Sequence, residues 1–231
     1  MTASSALPRV LLSRGALERA TRALVAPGAI VDLRHDGFGH GAAEVAGVLA
    51  DAGITDVIVD PEHVAVVSSR PGLRVHTAGA GDIEPAALFG IPDADGSRTS
   101  EPVMSLQGHV LSTKPLRAGE AVSYGYTHRA VDDTRIALVT GGYAQGIPRV
   151  LGNRVRVQIG ERMLPVVGRI AMDVCVVDLE GGDAEDGTPV VYFGGAGGAR
   201  DALAHWASVS GLTALEMAVV IGRHGQGEWV A

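Results

Sequence analysis

The stretch Arg154-Val-Arg-Val-Gln-Ile159, Gly160-Glu161, Arg162-Met-Leu-Pro-Val-Val167 decides the fold. Arg154, Arg156 and Gln158 alternate with Val155, Val157 and Ile159, the period of two that gives a strand one apolar face and one wet face. Gly160 and Glu161 stand where the chain must reverse, and Met163 to Val167 supplies the return strand. Pro165 has no N–H to give to a ladder, so the sequence places it at a sheet edge or a bulge. Working outward, Val122–His128, Asp133–Arg149 and Leu164–Asp178 read as further short strands closed by tight turns, and Val190–Phe193 as another. The C-terminal half is therefore a β-domain, followed by helices at Ala202–Val209 and Ala214–Val220.

Before it lies a different pattern. Ser13–Val25 reads as a helix, with Ser13 as N-cap and Leu17, Ala20 and Leu24 on one face. Ala29–Leu33 is a short strand, Arg34–Gly41 a turn and Ala42–Ala52 a helix. Thr55–Asp60 and Leu73–Thr77 are strands flanking a helix at Pro61–Ser69 that opens on proline. Ile91–Glu101, with its Pro, Asp, Gly and Ser residues, reads as a linker. The expected organisation is a small β/α domain over 1–95 and a mainly β-domain over 102–231, a mixed α+β class.

Composition bounds the function. With 231 residues, 46% of them hydrophobic, and mean hydropathy +0.21, the chain can bury a sizeable core. A net charge of −7 with scattered arginines gives no basic stripe, which argues against nucleic acid and anionic membranes. The only cysteine, Cys175, sits in an apolar run and reads as a small core residue in a reducing compartment. Arg9, Arg14, Glu18 and Arg19 interrupt any signal-like apolar region, and no stretch is long enough to span a bilayer. A cytoplasmic location is the expectation.

Three segments carry a specific resemblance: Val122-Ser-Tyr-Gly125, Gly142-Tyr-Ala-x-Gly-x-Pro-Arg149 and Val167-Gly-Arg-Ile-x-Met-Asp173. In order and spacing they resemble the signature segments of the C-terminal β-domain of alanine racemases. A patchier match runs through the first hundred residues, where Arg34-His-Asp-Gly-Phe-Gly-His-Gly41 resembles the first strand-and-loop of the racemase barrel and Pro85–Gly90 resembles its last strand. The resemblance implies active sites shared between subunits and an amino-acid-like ligand. It also implies pyridoxal phosphate held by a lysine. That lysine position is Arg34, and the position of the phosphate-binding tyrosine is Phe38, while Gly39, His40 and Gly41 are retained. The arginine facing the cofactor ring nitrogen falls on Ile83, or on Asp82 if the alignment slips by one.

One count bears on this more than any motif: of the 19 lysines and arginines, Lys114 is the only lysine. A guanidinium stays protonated and cannot form the aldimine. A complete eight-fold β/α barrel needs roughly 200 to 250 residues, whereas Pro102 already opens the β-domain, so the expectation is a partial layer of three or four strands. Such a layer exposes sheet edges and apolar faces that must be covered by the β-domain or a second copy, and a homodimer is expected for that reason. No bound cofactor is expected.

On the β-domain side the resemblance implies that Tyr143 is the base for one face of the substrate carbon and that Arg169, Met172 and Asp173 surround the substrate. Gln145 and Ile147 depart from the acidic and aromatic residues usual beside that tyrosine, and His128 stands where the family commonly has a tyrosine. The eight histidines show no zinc-like spacing and there is no second cysteine, so no metal is expected. No Gly-x-Ser-x-Gly elbow occurs. Three readings stay open: a degenerate, cofactor-independent racemase homologue acting as a binding or dimer-forming module; a component lending Tyr143 in trans to a barrel-containing partner; and a cofactor-independent enzyme using Arg34, His35, His40 and Tyr143.

Overall fold

The computed structural model describes residues 7–231. The chain opens on β1 (Arg9–Ser13) and turns directly into α1 (Arg14–Leu24), whose first turn is capped by the Ser13 hydroxyl accepting from the Ala16 N–H at 3.2 Å. There follow β2 (Ile30–Asp32), the tight turn α2 (Arg34–Gly39), α3 (Ala42–Asp51), β3 (Asp56–Ile58), α4 (Val64–Ser68), β4 (Arg74–His76) and α5 (Pro85–Phe89). Strands β2, β3 and β4 form a parallel sheet in that order. Val31, Val57 and Val59 belong to the same core as the buried faces of α1 and α3, so alternation turns Asp56, Ile58 and His76 to the other side.

That other side is not left bare. After β4 the glycine-rich segment crosses back over the sheet: Gly81 packs on Asp32 and Gly79 faces Ile58, which is 1% exposed. The Asp82 N–H donates to the Ile30 carbonyl at 2.8 Å, and the Ile30 N–H donates to the Asp82 carboxylate at 2.8 Å. Asp56 accepts from Arg74, His76 and Thr55, and these bonds, Arg74 first, hold its carboxyl well below the usual range. Among the described residues the sheet has three strands. Pro85–Gly90, expected to resemble a barrel strand, is instead helix α5, with proline in its first turn and Gly90 at φ +62° as its left-handed cap. The expected Pro61–Ser69 helix is a 3-10 turn, Pro61–His63, leading into the shorter α4.

The second half contains β5 (Met104–Leu116), the small hairpin β6 (Ala121–Val122) and β7 (His128–Arg129), then β8 (Thr134–Thr140), β9 (Arg156–Ile159), β10 (Arg162–Val167), β11 (Val174–Asp178), β12 (Pro189–Phe193), α6 (Ala202–Ser210), α7 (Ala214–His224) and β13 (Gln226–Val230). Strands β5, β12, β9, β10, β11 and β8 close on one another as a six-stranded antiparallel barrel. Long β5 makes closure possible by pairing β12 through its first half and β8 through its second, with a register shift between Val110 and Ser112. Val155, Val157 and Ile159 face inward as the sequence requires. Pro165 lies inside the closed barrel rather than on an edge. It precedes Val166 and Val167, the residues of β10 paired with β11, so no bond needs its missing N–H.

The two ends of the chain meet on this sheet. β1 pairs antiparallel with β5, and β13 lies parallel to β1. One hydrophobic core runs from Leu17 and Leu49 through Phe89 and Leu106 to Trp206 and Ile221, so residues 9–13 take part in the sheet of the β-domain. Among the described residues no single helix is long and apolar enough to cross a membrane.

Candidate functional site

Tyr143 stands in a 3-10 turn, Tyr143–Gln145, braced on the loop before β11: the Tyr143 N–H donates to the Ala171 carbonyl at 3.0 Å and the Ala144 N–H to the Met172 carbonyl at 2.9 Å. Position 142 has to be glycine, because a methyl there would collide with the Met172 carbonyl. Buried Gln145 completes the brace. Its carbonyl oxygen accepts from the Gly142 N–H at 2.9 Å, and its amide donates to the Asp173 carboxylate at 3.0 Å. The structure thus brings Tyr143, Met172 and Asp173 together. Sequence reasoning noted Gln145 only as a departure, whereas it is the residue that ties Asp173 to the tyrosine turn.

This face is open. Tyr143 is 39% exposed and Met172 54% exposed, with the Arg149 guanidinium 5.3 Å from the Tyr143 ring centroid. Beside it a shallow cavity of about 390 Å³ is lined by Tyr124, Tyr126, Arg169 and Ala171. The Ser123 hydroxyl donates to the Arg169 carbonyl at 2.7 Å, and the Arg169 side chain runs past Gly125. Tyr126 was not singled out by sequence, although the segment Val122–Gly125 pointed to its neighbourhood.

The Arg34–Gly41 loop is built otherwise. His35, Asp36, Gly37 and Phe38 all take left-handed helical angles, with φ between +53° and +61°, at a cost of roughly 1–2 kcal/mol for each non-glycine residue. The Asp60 carboxylate accepts the His35 and Asp36 N–H groups, and the Asp36 carboxylate accepts the Ala42 N–H at 2.8 Å, capping α3. Arg34 turns back onto Asp32, its Nε at 3.0 Å from both carboxylate oxygens. Burial pushes the Asp32 carboxyl up, but the bonds from the Arg34 side chain and N–H outweigh it and hold the group below its ordinary range. The Phe38 side chain packs on the core and makes ring contacts with His35 and Phe89. Ile83 packs on the core.

His40 is a core residue. It is fully buried, stacked on Phe89 with ring centroids 4.0 Å apart, and its Nδ1 lies 3.1 Å from the Phe38 carbonyl. Burial pushes its pKa down to about 4, so the ring is neutral at neutral pH. Gly39 and Gly41 sit at φ +83° and +85°, the backbone demand the sequence suggested for them.

Helix α7 keeps the two regions apart. Gly39 packs on Ala218 and Val219, and Gly222 meets Gly39, whereas Gly146 of the tyrosine turn packs on Val220 and Ile221. At about 100° per residue these sets lie on roughly opposite sides of the helix. Among the described residues no hydrogen bond, ion pair or ring contact joins Arg34, His35 or His40 to Tyr143. Lys114 lies exposed on β5, on the barrel rather than in the loop.

Pyridoxal phosphate makes particular demands: a free amine, a phosphate-binding hydroxyl and a partner for the ring nitrogen. At the matching positions stand a guanidinium already paired with Asp32, a phenyl ring, and Ile83 or else Asp82, whose carboxylate accepts the Ile30 N–H; with neither amine nor phosphate-binding hydroxyl, these residues do not fit the group.

Comparison with known proteins follows this division. The family model described as alanine racemase, C-terminal domain, matches residues 103–227. Alanine racemase of Mycolicibacterium vanbaalenii is 42% identical over 127 residues, 54% of this chain and 30% of that protein. That of Streptomyces coelicolor is 35% identical over 153 residues, covering 66% and 37%. The chain therefore matches only about a third of the length of these curated relatives. The crystal structure of alanine racemase from D-cycloserine-producing Streptomyces lavendulae superposes with a TM-score of 0.81 at 18% identity, through 99% of this chain and 98% of that one. The Bartonella henselae alanine racemase, whose structure carries covalently bound pyridoxal phosphate, gives 0.80 at 15% identity, covering 97% and 99%. At such identities the likeness concerns the fold.

Proposed function

The chain belongs to the alanine racemase C-terminal domain family, and on that premise we propose that it is a pyridoxal-independent member whose β-domain acts as a binding and subunit-joining module. The observation that carries this reading is Arg34. The residue at the lysine position is a permanent cation locked to Asp32, and the only lysine lies elsewhere, on β5. The three-stranded parallel layer is then the remnant of a barrel, closed by its own Gly79–Asp82 segment. The open face with Tyr143 and Met172 is the surface a second subunit covers, and Arg169 beside the tyrosine-lined cavity offers a partner for the carboxylate of a small amino-acid-like ligand.

Sedimentation of the purified chain at micromolar concentration tests it. A dimer that dissociates when Met172→Asp places a charge on the open face supports the reading, and a monomeric wild-type chain contradicts it. A second reading rests on the exposure of Tyr143: the chain lends this side chain to the barrel of a separate racemase. Mixing it with a full-length racemase whose own tyrosine is replaced by phenylalanine should restore alanine racemisation, and Tyr143→Phe should abolish the rescue. The third reading, a single site of Arg34, His35, His40 and Tyr143, would need the groups that α7 separates and a histidine that is wholly buried, and it is set aside.

A further inference from the structure

The carboxyl ends of parallel strands are where α/β folds place their ligands, and in this chain that rim gathers a donor set away from the tyrosine face. Asp60 follows β3, and Glu62 and His63 follow it in the 3-10 turn. One ligand atom from each lies within 4.8 Å of the others. His63 is oriented from behind: its Nε2 lies 3.3 Å from an Asp36 carboxylate oxygen. Its Nδ1 is buried, has no hydrogen-bond partner among the described residues and stands 3.9 Å from Asp60 Oδ2. The tautomer protonated at Nε2, the nitrogen beside Asp36, leaves a lone pair at Nδ1 on the side of Asp60. The same back-side arrangement, a carboxylate holding the far nitrogen of a ligating histidine, fixes the tautomer in metal sites.

The surrounding charge is mostly negative: Asp36, Asp60 and Glu62 gather at this rim, and the Arg34 guanidinium, which feels Asp60, is bound to Asp32. Asp60 gives Oδ2 to the backbone N–H groups of the left-handed turn, and Oδ1 has no hydrogen bond among the described residues. Glu62 is exposed and has no hydrogen bond or ion pair among the described residues.

We propose that Asp60, Glu62 and His63 form a site for one divalent transition-metal ion of the zinc type, with Asp36 as the residue that positions His63. One imidazole nitrogen and two carboxylate oxygens suit a borderline ion better than magnesium or calcium. With bonds of about 2.0–2.1 Å in tetrahedral geometry, ligand atoms sit about 3.4 Å apart, so the gap from His63 to Asp60 closes by a small side-chain rotation. The site joins the loops after β2 and β3, and it stands or falls independently of the module reading above.

Calorimetric titration of the full chain, stripped with chelator, with zinc chloride tests this, with magnesium chloride as control. The expected result is one zinc per chain, with affinity reduced at least tenfold by Glu62→Gln and by His63→Ala, and no saturable magnesium binding. Because Glu62 is exposed and unpaired, its variant separates loss of a ligand from loss of fold. Asp36→Asn keeps an acceptor for the α3 cap, so it should weaken zinc binding while leaving the metal-free melting temperature unchanged. No saturable zinc binding overturns the proposal. Affinity unchanged in both Glu62→Gln and His63→Ala overturns it as well, since the ion is then adventitious.

Discussion

Replacing Gly222 by alanine tests whether α7 really clamps the left-handed turn. The added methyl would run into the carbonyl and Cα of Gly39, and both obstacles are backbone atoms in a turn pinned by Asp60, by the Gly37 N–H to Leu33 carbonyl bond at 2.8 Å and by the stacked His40. Overpacking costs typically about 1–3 kcal/mol, and an obstacle that cannot rotate away belongs at the upper end, about 3. Alanine returns about 1 kcal/mol through its better helix propensity. The net expectation is a loss of about 2 kcal/mol, which at a urea slope of about 3 kcal/mol/M for a chain of this size lowers the unfolding midpoint by roughly 0.7 M. Propensity alone predicts the opposite sign, a rise of about 0.3 M. Urea unfolding followed by circular dichroism decides between them. A midpoint at or above that of the wild type refutes the packing argument.

Three other outcomes follow from local chemistry. His40 has its pKa lowered from 6.5 to about 4 by burial; below pH 6.5 the unfolded chain binds a proton that the folded one refuses, so stability falls between pH 6.5 and about 4, by roughly 3 kcal/mol at the limit. An NMR titration placing the His40 pKa at 6.5 or higher contradicts this. Cys175 is buried, 3.2 Å from the Tyr192 hydroxyl, with its pKa pushed up to about 12 by burial, so a thiol reagent should label nothing in the native protein and one group after denaturation. Thr213 and Glu216 cap α7 reciprocally, the Thr213 hydroxyl accepting from the Glu216 N–H at 3.1 Å and the Thr213 N–H donating to the Glu216 carboxylate at 2.7 Å. Thr213→Ala should therefore cost about 1 kcal/mol in a thermal melt.

Local periodicity made much of this fold legible. The alternation in Arg154–Ile159 and the turn at Gly160 gave the β9–β10 hairpin, and Ser13 gave the start of α1, because each is decided within a few residues. Pairings between distant segments were hidden. Nothing in Arg9–Ser13 announces that it lies between β5 and β13, since register between remote strands depends on the assembled core. Pro85-Ala-Ala-Leu-Phe-Gly90 was drawn toward a strand by resemblance, whereas its proline and glycine are ordinary helix boundary signals. Pro165 looked like an edge residue because a single sequence cannot reveal that β11 begins to pair only after it.

For the candidate site, the segments holding Tyr143, Arg169, Met172 and Asp173 were visible, but their joint support by Gln145 and Gly142 was not. Arg34 was visible as the wrong residue for a Schiff base, and the structure adds where its charge goes. The Asp60, Glu62 and His63 donors lack the spacing of familiar zinc motifs, and their tie to Asp36 comes from another strand's loop. Only the fold brings Asp36 beside them.

The most direct test of the central claim is to incubate the chain with pyridoxal phosphate, reduce with borohydride and measure the intact mass, with alanine racemisation assayed on the same sample. An unchanged mass and no turnover are the predicted result. A stoichiometric adduct on Lys114 accompanied by racemisation would contradict it, because the cofactor would then have found an amine that the Arg34 loop does not provide.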